Sequence, residues 1–436
     1  MAVHASTKER EGRAADDRRA TTVAILRMLF GNELTRTFAV RLWDGTTIQS
    51  RGPARFTLLV NAPEALRAAL LPPDELNAGR AFVNGLLDCE GDLEAAVDVL
   101  QGAFGRLQPR ALPTLLTLVL RLPKPRSFDH AGEARLRGRK HSLERDRAAI
   151  GFHYDQPIAF YRAFLDREMV YSCAYFDDER AATLDEAQIA KIDHVLRKLR
   201  VQTGERLLDI GCGWGALVVR AAERFGARVL GVTLSRRQHE EANRRIQAAG
   251  ITATARVELR DYRNLRGEQL FDKIVSVGMF EHVGRSHLPE YFSTAYAHLR
   301  PGGLFLNHGI AARSGARRSM PREGFVERFV FPDGELVPIG EALQIAERSG
   351  FEVRDVENLR EHYARTLRCW VANLERNRTA AVEAADERTF RVWRLYMAGS
   401  AQGFASGRMG IHQSLLAKPT SSGSVDIPAT RRDLYL

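Results

Sequence analysis

The chain has 436 residues, 44% of them hydrophobic, enough to bury a sizeable core and long enough to favour two domains over one. A formal net charge of +10 calls for an acidic partner, either nucleic acid or an anionic membrane surface. The four cysteines, Cys89, Cys173, Cys212 and Cys369, form no C-x-x-C pair, which argues against a metal site or a disulfide framework and fits a reducing cytosol.

The opening MAVHASTKEREGRAADDRRA mixes both charge signs with no apolar region behind it, so it is not a secretory signal and is expected to be a disordered leader over residues 1–20. Residues 21–120 hold the alternating FAVRLW, a WDGT turn suited to a hairpin, the strand FTLLV, and helical patterns in PEALRAALL and DLEAAVDVLQGAF. They predict a smaller amino-terminal α+β domain. The longest apolar stretch, Leu112 to Leu122, is interrupted by Pro113 and Arg121 and is too short to cross a bilayer.

Residues 121–150 are expected to be a basic linker: from Arg121 to Arg147 nine Lys/Arg stand against four Asp/Glu, half of the charge excess. An apolar segment beside a basic one suits an interfacial anchor on anionic lipid. A core helix explains the apolar part equally well, and a solvated linker the basic part. Nucleic acid is not expected as a partner, since no recognised nucleic-acid module appears.

Over residues 151–436 strand and helix patterns alternate: RLLDI, GALVVRAAERFG, RVLGVTL, SRRQHEEANRRIQAAG, RVELR, FDKIVSV and GLFLNHG. Such alternation predicts a parallel sheet covered on both faces, with ligands at the carboxyl ends of its strands. LLDIGCGWG puts Asp209, Gly211, Gly213 and Gly215 between the first strand and the first helix, where glycines permit a tight turn and close approach to a ligand. A dinucleotide fingerprint would read G-x-G-x-x-G, with an acidic residue ending the second strand. This chain has G-x-G-x-G and ends that strand in Val232-Thr233-Leu234-Ser235, which favours S-adenosylmethionine. Asp261 and Tyr262 of RDYRNL could serve an adenine by hydrogen bond and stacking, or be a polar strand end. Glu281, just beyond FDKIVSV, requires a partner or a ligand.

YSCAYF, LLDIGCGWG, GVTLS, DYRNL, VSVGMFEHVG, FVFPDGEL and HYARTLRCW follow one another in this order. The chain resembles the cyclopropane-fatty-acyl-phospholipid synthases and mycolic acid methyltransferases from about residue 150 almost to the end. AFVNGLLDCEGDL resembles the amino-terminal lipid-binding-type domain of longer synthases. The resemblance implies an α/β fold, a class I (Rossmann-like) methyltransferase domain behind the smaller α+β domain. It implies addition of a methylene carbon from S-adenosylmethionine across a cis double bond of phospholipid acyl chains, at the inner face of the cytoplasmic membrane, and admits a homodimer.

By the same resemblance the cofactor residues fall on Tyr171, Ser172, Asp209, Gly211, Gly213, Gly215, Thr233, Leu234, Gln238, Asp261 and Tyr262. A catalytic bicarbonate site falls on Cys173, Glu281, His308, Ile310 and Tyr363. Its neighbour His282 is read as structural. Such chemistry needs a base that offers no nucleophile to the carbocation, and a caged small anion meets that need. Tyr171, Tyr175 or Phe280 could stabilise the cation by about 0.5–2 kcal/mol, but positioning in a dry site should contribute most.

Two departures stand out. Gln156-Pro157-Ile158-Ala159 replaces a polar run in a segment expected over the cofactor, and Ser400 stands where some relatives have cysteine. The same cation could also yield a methyl or methylene branch. Two rival readings are a methyltransferase for a soluble small molecule and a lipid-binding protein with a degenerate methyltransferase domain.

Overall fold

The computed structural model describes residues 2–31, 37–106, 108–125, 128–154, 156–177, 182–267, 270–315, 324–425 and 427–434. The chain divides into two compact units: Met1–Glu133 with Arg322–Phe329 and Asp386–Gln402, and Ala134–Pro321 with Val330–Ala385 and Gly403–Leu436.

In the first unit a four-stranded sheet has the order β2-β1-β3-β4, from Ala39–Leu42 (β1), Thr47–Ile48 (β2), Phe56–Val60 (β3) and Leu87–Gly91 (β4). The WDGT hairpin joins β1 to β2: Gly45 takes φ +85°, and the Leu42 N–H reaches the Thr46 carbonyl at 2.9 Å. Alternation in β3 turns Phe56, Leu58 and Val60 inward. Five helices join this sheet in sequence: Ala2–Phe30 (α1), Ala65–Leu70 (α2), Glu75–Val83 (α3), Leu93–Arg106 (α4) and Leu112–Arg121 (α5).

Three features depart from expectation. The leader is helical from Ala2 onward. It is rich in Ala, Arg and Glu, has no proline, and continues a helix whose far end is fixed by burial of Ile25, Leu26 and Leu29. The linker is helical from residue 143. The first unit is also discontinuous, because two later segments return to it. Phe325 lies so close to Gly79 that a Cβ there would meet its ring at 2.2 Å, and Arg391 bonds Asp88 at 2.7 Å and the Phe82 and Leu87 carbonyls at 2.8 Å.

The second unit is built on a seven-stranded sheet of order β10-β11-β9-β8-β5-β6-β7. The strands are Arg206–Ile210 (β5), Arg228–Thr233 (β6), Ala255–Leu259 (β7), Phe271–Val277 (β8), Leu299–Ala312 (β9), Glu352–Asn358 (β10) and Met409–Ala417 (β11). Only β11 pairs antiparallel with both neighbours; β5 to β9 pair in parallel. The helices that concern the site are Leu143–Tyr154 (α6), Ile158–Arg162 (α7), Leu184–Lys198 (α8), Ala216–Phe225 (α9), Arg236–Ala248 (α10) and Arg360–Arg376 (α11).

Neighbouring residues on one strand feed opposite faces of this sheet. Leu207, Val229, Val275 and Leu304 join one apolar cluster, while Leu208, Leu230, Ile274 and Phe305 join the other. Burial on both faces explains the continuous apolar runs, each such side chain contributing roughly 1.5–3 kcal/mol. Chain order reverses between β5 and β8, and that switch opens a crevice at the strands' carboxyl ends.

Candidate active site

Four strand ends wall this crevice. Asp209 to Gly213 span the end of β5 and the loop after it, Val232 to Leu234 the end of β6, Arg260 to Arg263 follow β7, and Val277 to Met279 lie at the end of β8. Tyr171 and Ser172 add to the wall, as do Gln238 of α10 and one face of α6 at four-residue spacing: Asp146, Ile150 and Tyr154.

Every residue expected to meet the cofactor lies in this wall except Gly215. Gly215 caps α9 at φ +83°, and a Cβ there would stand 2.9 Å from that of Ala242 on α10, so its role is helix packing. Gly213, at φ +54°, has open space where a Cβ would be. Thr233 Oγ1 bonds Gln238 Oε1 at 2.7 Å, and Ser235 caps α10. The Asp261 carboxylate is held at both oxygens by Arg263, at 3.0 and 2.7 Å, and Arg263 also reaches Asp146 at 3.0 Å. Tyr262 stands edge-on to Tyr291, with ring centroids 5.6 Å apart.

The wall also contains residues that were not expected to meet the cofactor, some of them inside the quoted motifs. His282, expected to be structural only, lines the crevice, and burial pushes its pKa down to about 4. Tyr154, Trp214 and Arg263 line it too. Lys191 of α8 is 2% exposed and donates from Nζ to Ser172 Oγ at 2.8 Å. Burial lowers its pKa to about 8, opposed chiefly by the charge of Asp166 and also by that of Asp209. Burial lifts Asp209 to about 7 while Lys191 pulls it back. Lys191 shares α8 with three further buried polar residues, Gln188, His194 and Lys198.

The five residues of the expected anion site lie behind the wall. None of them lines the crevice, though Ser172, Gly278, Met279 and His282 beside them do. Beyond β8 the Gly278 N–H reaches the His308 carbonyl at 2.9 Å, and a short turn, Phe280–His282, presents Glu281 to β9. Gly309 makes this possible, since a Cβ there would stand 2.9 Å from the Phe280 ring.

Glu281 Oε1 accepts the Ile310 N–H at 2.6 Å; Oε2 is buried and has no hydrogen-bond partner among the described residues. Burial pushes the Glu281 carboxyl up to about 7, opposed by the Ile310 N–H. His308, two residues earlier on β9, sits with Nδ1 3.4 Å from Gln413 Nε2. Its Nε2 is buried without a partner among the described residues, and burial keeps the ring neutral. Cys173 and Tyr363 converge on one carbonyl: that of Leu359 lies 3.7 Å from Cys173 Sγ and accepts the Tyr363 N–H at 3.0 Å. The Leu359 N–H bonds the carbonyl of Ile411, which lies opposite Ile310. Burial pushes the Cys173 thiol well up, so it offers no thiolate.

Two aromatic residues expected near a cation are elsewhere. Phe280 is 3% exposed and packs with Tyr291 and Phe292, and Tyr175 stacks between His194 and His362 at 4.2 and 4.9 Å. Tyr171 does line the crevice, stacked on Trp370 at 5.1 Å. The departing segment Gln156–Ala159 contributes nothing to the wall; Pro157 caps α7 instead.

Residues 141–414 match the family described as mycolic acid cyclopropane synthetase. The chain belongs to this family. It is 40% identical over 398 residues to the "Probable fatty acid methyltransferase" of Pseudomonas putida, covering 91% of this chain and 95% of that protein. It is 33% identical over 388 residues to the tuberculostearic acid methyltransferase of Mycobacterium tuberculosis, 86% of each chain. A solved mycolic acid cyclopropane synthase complexed with SAH and CTAB matches with a TM-score of 0.59 at 35% identity, over 62% of this chain and 97% of that one. This member of the cyclopropane synthetase family therefore carries a Rossmann-like, S-adenosylmethionine-dependent methyltransferase domain.

Proposed function

We propose that this enzyme transfers a one-carbon unit from S-adenosylmethionine to the cis double bond of unsaturated acyl chains in membrane phospholipids and closes a cyclopropane ring. The observation that carries this reading is the buried Glu281, its Oε1 on Ile310 and its Oε2 without a partner among the described residues, beside His282, which lines the crevice. Bound there, S-adenosylmethionine supplies an activated methyl group; a related synthase was solved with SAH and CTAB.

The chain's own residues supply position and charge. Arg263 fixes Asp261 and ties it to α6, and Lys191 holds Ser172 and faces Asp209. Glu281 Oε2 and His308 Nε2, each buried without a partner among the described residues, could each hold a small anion such as bicarbonate, while the Ile310 N–H is spent on Glu281. When bound, that anion supplies a base for the departing proton. A carboxyl near 7 can hold a proton toward it, and a neutral imidazole can donate to it.

A methyl- or methylene-branched product is the second reading. It is favoured by the names of relatives that match across most of the chain, fatty acid and tuberculostearic acid methyltransferases, where the solved cyclopropane synthase matches 62% of it. Incubation with labelled S-adenosylmethionine and oleoyl phospholipid vesicles, followed by mass spectrometry of the fatty acids and trapping of any ring or exocyclic alkene, separates the two. Label that enters only soluble acceptors would refute both.

A further inference from the structure

The apolar stretch at Leu112–Leu122 resolves into two faces. Leu115 and Val119 are buried where α5 packs on α1 and α2. Leu112, Leu116 and Leu120, spaced by four, form one outward stripe and are 49%, 47% and 49% exposed. They make up half of the exposed large apolar residues among those described, which are Leu71, Leu112, Leu116, Leu120, Leu259 and Val356. Leu71, another of them, ends α2, which packs on α5. Three leucines half in water on a ten-residue helix are an interaction surface.

Charge identifies what the stripe meets. Arg110, Arg121 and Lys124 flank it, all exposed, and residues 108–125 contain no Asp or Glu. The carbonyls of Leu120 and Leu122, at the end of α5, are held by Arg67 at 3.0 and 2.6 Å, so the helix is braced from its own unit.

We propose that α5 is an interfacial helix that lays Leu112, Leu116 and Leu120 into the surface of an anionic phospholipid bilayer. Leucines enter the acyl boundary while the arginines and lysine remain among anionic headgroups. A second copy of the chain is the poorer occupant, because two-fold pairing of this face would set one basic rim against another. The proposal rests on the phospholipid reading for its partner.

The test is sedimentation of the full chain with vesicles of phosphatidylcholine, with and without phosphatidylglycerol, at low and high salt. Wild type binds the anionic vesicles, and the affinity falls with salt. Leu112→Ser/Leu116→Ser/Leu120→Ser lowers that affinity by at least about ten-fold and leaves S-adenosylmethionine binding unchanged. Arg121→Glu/Lys124→Glu weakens only the anionic preference. Vesicle binding by the leucine variant equal to wild type overturns the proposal. So does a wild-type dimer that dissociates with those changes and binds no vesicle. Because vesicle binding is read without turnover, α5-dependent binding without acyl modification would refute the reading of function alone.

Discussion

Glu281 Oε1 accepts the Ile310 N–H at 2.6 Å, which holds the carboxyl that follows β8 against the backbone of β9. One lone pair is thereby fixed, and the other oxygen, Oε2, is buried without a partner among the described residues. Backbone pairing of β8 with β9 brings Val277 opposite His308, so the turn that carries Glu281 leaves β8 alongside the next residues of β9. Phe280 anchors the intervening turn against Gly309.

Burial without a charged partner makes Glu281 a pH-sensitive element. Its folded pKa is raised from 4.5 to about 7, so between these values the folded state holds a proton that the unfolded state has lost. Stability from this group is full below about pH 4.5 and is lost as pH rises through 7. Glu281→Gln keeps the acceptor for Ile310 but cannot ionise. Melting temperatures of variant and wild type, compared from pH 5 to pH 8, should diverge in the variant's favour at the upper end, by on the order of 1–3 kcal/mol. A constant difference would show that Glu281 is not buried as described.

Lys191 should tune cofactor binding through Asp209. Lys191→Met removes the cation that holds Asp209 down and the donor to Ser172 Oγ. Calorimetric affinity for S-adenosylmethionine near pH 7 should fall roughly ten-fold, and the pH midpoint of binding should move upward, because Asp209 then ionises later. A weaker affinity with an unmoved midpoint would assign Lys191 to packing alone.

Gly213 and Gly215 separate cofactor contact from folding. Gly215→Ala places a Cβ 2.9 Å from Ala242 at φ +83°, and thermal unfolding should show a loss of about 1–3 kcal/mol. Gly213→Ala meets open space at the crevice wall. It should weaken S-adenosylmethionine binding more than it lowers the melting temperature. The opposite ranking would reverse their roles.

Strand–helix alternation from residue 206 was legible because each parallel strand is buried on both faces and so reads as an apolar run; FDKIVSV coincides with β8 from end to end. The glycine loop was legible because it joins a strand to a helix. What tertiary contact decides was not. Gly215 looks like its neighbours until Ala242 is seen beside it, and Lys191 is an ordinary helical lysine until Ser172 and Asp209 close on it. The return of Phe325 to Gly79, and with it the discontinuous first unit, has no local signature. The leader became helix because a packed end propagates backward through good helix formers. Leu112–Leu122 fitted both a core helix and an anchor; packing on α1 and α2, which buries Leu115 and Val119 and leaves Leu112, Leu116 and Leu120 exposed, could not be read locally.

The decisive measurement is product formation by Glu281→Gln from labelled S-adenosylmethionine and oleoyl phospholipid vesicles, set beside cofactor binding by calorimetry. We expect product to fall at least about a hundred-fold while the cofactor still binds. Turnover at the wild-type rate would contradict a role for this carboxyl in the chemistry.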